Sequence, residues 1–222
     1  FVIDPKLLPS MAGLDPTLMT GLPPHITAAT GMDALTHAVE SVLARTATAQ
    51  TESYARSALQ RIFPDLPRAF RQGDDLAGRK SMALASYYAG LAFTRTSVGY
   101  VHAIAHGFGA FYGTPHGLSN ALALPHVLDL SLEAAAPRMA LMAEWIGVAG
   151  EGGSEREKAE RFIAAVRALS EEVGIPPTLE SLRAEDVPAL ARQALAEAHM
   201  NYPVPRIMDQ AECEGLIGRI LP

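Results

Sequence analysis

The sequence predicts an all-α protein, built as a bundle of helices. Apolar residues make up 49% of the 222 positions and recur at helical spacing, so a sizeable core can be buried. Helix start and stop signals follow one another along the chain, two of them capping boxes: Ser154 with Glu157 and Asp209 with Glu212. No alternating strand pattern is present beyond a short opening stretch, Phe1 to Ile3.

Taken in order, Pro23 and Pro24 open a helix through "HITAATGMDALTHAVESVLAR", because proline suits a first turn. Thr51 starts "TESYARSALQRIF", which Pro64 and Pro67 are expected to kink or break. Asp74 and Asp75 precede "LAGRKSMALASYYAGLAF", which is apolar on nearly every side and is expected inside the bundle. A histidine-rich helix follows, stopped by Gly113 and restarted by Pro115. "HGLSNALALPHVLDLSL" reads as another apolar helix, and "APRMALMAEWIGVAG" as an amphipathic one ending at a glycine cluster. Ser154 opens "KAERFIAAVRALSEEVG", stopped by Gly174, Pro176 and Pro177; Val187–Met200 and Asp209–Leu221 are the last two helices. The expectation is one helical domain over residues 1–222, with no linker or repeat.

The net charge is −6 and no basic run or face occurs, so nothing suggests a nucleic-acid partner. The single cysteine, Cys213, excludes an internal disulfide and fits a reducing compartment; nothing near it in sequence would activate the thiol. Residues 96–128 carry no Asp, Glu, Lys or Arg, a length that can span a bilayer. The histidines and prolines within it favour a buried internal segment, so no membrane is expected. "FVIDPKLLPS" has neither a basic region nor a long apolar one, so no signal peptide is read and the expected location is cytoplasmic. The chain begins without methionine, as a fragment or processed chain would.

The chemistry concentrates in "GYVHAIAHGFGAFYGTPHG", Gly99–Gly117. His102 and His106 are four apart and share a helical face; His116 lies beyond the break, where its helix can turn back on the same point. Buried imidazoles need partners for both ring nitrogens, and a metal ion can serve several at once. Upstream, "GMDALTHAVE" places Asp33 and His37 four apart, with Glu40 on the next turn as an outer partner or a plain surface charge. Taken singly, a buried histidine is more often a hydrogen-bonded core residue, and an Asp–His pair a local surface bond. Together, one carboxylate and three imidazoles suit Fe(II), Zn(II), Co(II) or Ni(II) better than Mg(II) or Ca(II). His126 after Pro125 reads as a structural hydrogen-bonder, and His25 and His199 as exposed.

These segments, "GMDALTHAVE", "AGLAF" and "GYVHAIAHGFGAFYGTPHGLSNALALPHV", resemble the iron-activated (group III) alcohol dehydrogenases, strongly from about Asp4 to about Leu128 and more weakly to "YPVPR". The resemblance covers that family's helical C-terminal metal domain, whose fold is shared with dehydroquinate synthase. It implies Asp33, His37, His102 and His116 as ligands of Fe(II) or Zn(II), and His106 as a non-ligand near substrate and nicotinamide that helps proton transfer. Phe93 matches the aromatic lining the family's substrate pocket; read from the residues alone, it is equally an ordinary core aromatic.

The implied activity is NAD(P)-linked interconversion of a primary or secondary alcohol and its aldehyde or ketone, in a homodimer. The family's N-terminal nucleotide-binding domain, with its glycine-serine phosphate loop, has no counterpart in these 222 residues, so NAD or NADP would be held elsewhere and the fragment alone is expected to be inactive. Arg95 and Ser131 stand where many members carry asparagine, which bears on pocket polarity. Two other readings are a zinc enzyme like glycerol dehydrogenase or dehydroquinate synthase, and a metal-binding module without turnover.

Overall fold

The computed structural model describes residues 4–7 and 9–222; the strand expected at Phe1–Ile3 lies outside them. Among the described residues eight α-helices follow in order: α1 Pro24–Leu43, α2 Ala49–Arg71, α3 Leu76–Thr96, α4 Tyr100–Tyr112, α5 His116–Trp145, α6 Glu155–Glu172, α7 Val187–Asn201 and α8 Gln210–Gly218. No strand occurs among the described residues. No helix among them is long and apolar enough to cross a membrane.

Both capping boxes form as expected: Ser154 and Asp209 each accept a backbone N–H from their third helical residue, whose side chain reaches back. A third, which the sequence reading missed, starts α2 at Thr48 with Thr51. The α4 helix ends at Gly113, in the left-handed conformation.

Three expectations need correction. The α2 helix runs unbroken through Pro64 and Pro67. Its buried stripe, Leu59, Ile62, Leu66 and Ala69, keeps helical phase across both prolines, so burial outweighs the missing backbone donors. The two segments expected after Gly113 are one 30-residue helix, α5, with Pro125 and Pro137 inside it, held by packing along α6 and α1. Nor is α3 an internal helix: it buries one stripe (Gly78, Met82, Ala85, Ala89, Ala92) and leaves Leu76 and Tyr87 exposed.

The enclosed helix is α1, packed by α2, α3 and α5, with most side chains from Thr27 to Leu43 buried. A fully buried leucine there, such as Leu35, contributes about 2–5 kcal/mol relative to alanine. Arg79 of α3 is also fully buried. It donates to Gly73 O (2.8 Å), Thr27 Oγ1 (2.7 Å) and Leu22 O (3.1 Å), tying the chain before α1 to the start of α3.

A candidate metal centre on α1, α4 and α5

Two glycines let the three site helices approach one another. A Cβ on Gly117, at the start of α5, would lie 2.2 Å from Ala29 O, so only glycine lets α5 press against α1 next to His116. A Cβ on Gly99 would lie 2.8 Å from Glu40 Oε1, so glycine likewise opens the start of α4 to that carboxylate.

Glu40 is buried, and both its oxygens are used. Oε2 accepts the Gly99 N–H and Oε1 the Val101 N–H, each at 2.8 Å, which places an anion at the helix N-terminus. Oε2 also lies 2.6 Å from His102 Nδ1. That bond commits Nδ1–H to Glu40 and turns Nε2 toward Asp33. Of the two roles open from sequence, Glu40 takes that of an outer partner.

Of the four acceptor groups expected from sequence, Asp33, His37 and His102 come together with all ligand atoms within 4.8 Å of one another, and His116 reaches the group through Asp33. Asp33 Oδ1 lies 3.6 Å from His37 Nε2, 3.7 Å from His102 Nε2 and 3.6 Å from His116 Nε2. A tetrahedral ion with bonds of about 2.1–2.2 Å spaces its ligand atoms about 3.4–3.6 Å apart, and the three separations from Asp33 Oδ1 are of that size. Asp33, His37 and His102 alone form a group able to hold a metal ion. One carboxylate oxygen with three imidazole nitrogens around it needs hydrogen-bond donors or a positive charge among them.

The titration behaviour reflects that requirement. For His102, burial opposes protonation, but Glu40 and Asp33 outweigh it and raise its pKa to about 9. His37 goes the other way, to about 4, through burial and then the charge of His102. Burial lowers His116 as well. Asp33 is pushed up by burial, yet contact with His102 and the charges of His37 and His116 bring it below the usual carboxylate range. Among the three imidazoles, His102 is therefore the one that most readily holds an added proton.

Around this cluster, Phe93 is half-buried and lies flat on His37, ring centres 4.0 Å apart. His37 Nδ1 is buried with no hydrogen-bond partner among the described residues, so this stack is what steadies the ring. His106, on the mouth side, stacks on His116 at 5.5 Å and meets His102 edge-on at 6.2 Å. Its Nδ1 lies 2.7 Å from Glu197 Oε1 of α7, and the Tyr202 hydroxyl donates to the same oxygen. Hydrogen-bonded this way, His106 turns its Nε2 away from Glu197.

Sequence reasoning missed Glu197, Tyr202 and Asn120. Asn120 is fully buried on α5, one turn beyond His116. Its Nδ2 donates to Asp33 Oδ1 at 2.7 Å and lies 3.2 Å from both His102 Nε2 and His116 Nε2. The remaining expectations resolve simply. Cys213 is buried and its thiol is pushed up to about 12, first by burial and then by Glu214. His126 is not the hydrogen-bonder expected, since its buried Nδ1 has no partner among the described residues. His25 is exposed, and His199 is exposed with its Nε2 2.9 Å from the Tyr100 hydroxyl. Arg95 is exposed over the Tyr54 ring, and Ser131 is buried.

The comparisons with known proteins agree with this architecture. Residues 27–221 match the family model of the Fe-containing alcohol dehydrogenase family, C-terminal. The chain is 42% identical over 200 residues to the 1,3-propanediol dehydrogenase of Klebsiella pneumoniae, covering 89% of this chain and 52% of that protein. It is 43% identical over 195 residues to the lactaldehyde reductase of Escherichia coli K12, covering 87% of this chain and 50% of that one. A crystal structure of 1,3-propanediol oxidoreductase superposes with a TM-score of 0.90 at 40% identity, over 93% of this chain and 55% of that chain. The chain thus spans about half the length of the curated relatives it matches. By the family model, the sequence identity and the shared helical fold, this chain belongs to the Fe-containing alcohol dehydrogenase family and corresponds to its C-terminal part.

Proposed function

We propose that this chain is the metal-binding helical part of an NAD(P)-dependent oxidoreductase that interconverts a small alcohol and its aldehyde or ketone. Asp33, His37, His102 and His116 hold one divalent ion, Fe(II) or Zn(II). A separate N-terminal domain supplies the site for NAD or NADP. The enzyme is cytoplasmic and acts as a homodimer. The observation that carries the reading is the convergence of Asp33 Oδ1 with three imidazole Nε2 atoms at 3.6–3.7 Å. The relatives named above, 1,3-propanediol dehydrogenase and lactaldehyde reductase, support the substrate class.

When bound, the ion acts as a Lewis acid that favours the ionised form of the alcohol oxygen. The chain's own residues do the rest. Glu40 fixes the His102 ring so that Nε2 faces inward. Phe93 steadies His37 and presents an apolar wall to the carbon side of the substrate. His106 takes the proton lost by the alcohol at Nε2, or returns it in aldehyde reduction, while Glu197 holds its Nδ1 and stabilises the charge that forms. A nicotinamide held outside these residues would supply the hydride chemistry.

The test is metal analysis of the purified protein beside NAD(P)H-dependent aldehyde reduction by the polypeptide that includes the nucleotide domain. One equivalent of iron or zinc, with turnover lost on chelation and restored by that metal, is the expected result. Turnover that survives complete chelation overturns it.

A further inference from the structure

The acceptors that converge on Asp33 Oδ1 have different neighbours on different sides. The Asp33–His102–His116 face carries the Asn120 amide, whose Nδ2 lies 2.7, 3.2 and 3.2 Å from the three atoms that bound it. His37 is stacked between Phe93 and His102, and His106 lies against His102 and His116. Asn120 is fully buried, and its Oδ1 has no hydrogen-bond partner among the described residues. A buried amide left half-satisfied is unfavourable, so a structural role alone accounts poorly for an asparagine here. Its donor side makes sense against Asp33, where the N–H holds Oδ1 in place and occupies the space that a water or second oxygen ligand would need.

We propose that Asn120 is a positioning residue that closes the Asp33–His102–His116 face of the metal centre. The approach left to a further oxygen ligand is then the His106 side. Asn120 excludes water from the closed face and fixes Asp33 through Oδ1. It thereby determines from which direction an alcohol oxygen can approach, without touching substrate itself. This inference rests on the metal-centre reading above.

The experiment titrates the purified, metal-free protein with Co(II) and follows the visible bands, which are intense for four-coordinate Co(II) and weaken as coordination number rises. Wild type is compared with Asn120→Ala, which empties the face, and Asn120→Leu, which fills it without a donor. Asn120→Ala is expected to show several-fold weaker bands. Both variants are expected to bind Co(II) about 10–100-fold less tightly, the usual loss when a ligand's hydrogen-bond partner is removed. If Asn120→Ala does not fold, Asn120→Leu still reads the affinity term. Wild-type Co(II) binding, with bands and affinity unchanged in every variant that folds, overturns the role of Asn120 and leaves the metal centre standing. Failure of wild type to bind Co(II) at all overturns both.

Discussion

His102 Nδ1 lies 2.6 Å from Glu40 Oε2, and the same carboxylate accepts the N–H groups of Gly99 and Val101 at the start of α4. One buried anion thus starts a helix and orients an imidazole on it. Glu40→Gln keeps the shape but removes the charge. Divalent-metal affinity is expected to fall about 10–100-fold, and the metal-free protein to lose about 1–2 kcal/mol. A metal titration and a thermal melt check the two effects separately; wild-type values in both would remove Glu40 from the site.

His116→Ala and His106→Ala should part company. The first is expected to lose metal and activity together. The second is expected to keep its metal and lose rate by about 10²–10⁴-fold, the range for removing a proton-transfer group. Elemental analysis beside turnover decides this, and full metal retention by His116→Ala counts against its assignment.

Glu197 Oε1 lies 2.7 Å from His106 Nδ1 and also accepts from the Tyr202 hydroxyl; in the proposed mechanism it acts through His106, so its loss should leave metal content untouched. Glu197→Gln is expected to lower kcat about tenfold with KM little changed, a smaller loss than removing His106 itself. A rise in KM at unchanged kcat would point instead to substrate contact.

The Cys213 thiol, pushed up to about 12, ionises only in strong base, so at pH 8 about one molecule in 10⁴ carries the reactive thiolate. Iodoacetamide is expected to leave the folded protein unmodified at pH 8 and to modify it fully once denatured. Mass spectrometry reads both, and rapid modification of the folded chain at pH 8 would contradict the burial.

Ser97 caps α3 at φ 67°, ψ −171°, a region occupied almost only by glycine. Ser97→Gly is expected to raise stability by about 1 kcal/mol, and Ser97→Ala to give no gain. Chemical denaturation distinguishes the pair.

The clustering of these side chains was legible because helical spacing puts Asp33 and His37 on one face, and because a glycine–proline break lets His116 fold back toward Asp33; which of them would be ligands rests on the family resemblance. The same four-residue spacing from His116 points to Asn120, but an amide in an apolar run carries no charge to draw attention. Glu197 was illegible for a different reason: it stands 91 residues from His106, and only the packing of α4 on α7 joins them. Helix boundaries were misjudged at Pro64, Pro67 and Pro137, where burial on continuous stripes overrides a local preference that sequence shows plainly.

Asp33, His37 and Glu40 occupy positions i, i+4 and i+7 of a single enclosed helix. One extra residue between Asp33 and His37 would rotate everything downstream by about 100°, swinging His37 and Glu40 off the shared stripe and turning core side chains outward in the same stroke. Length changes are thus barred from this stretch of α1, and variation there is confined to exchanging one side chain for another.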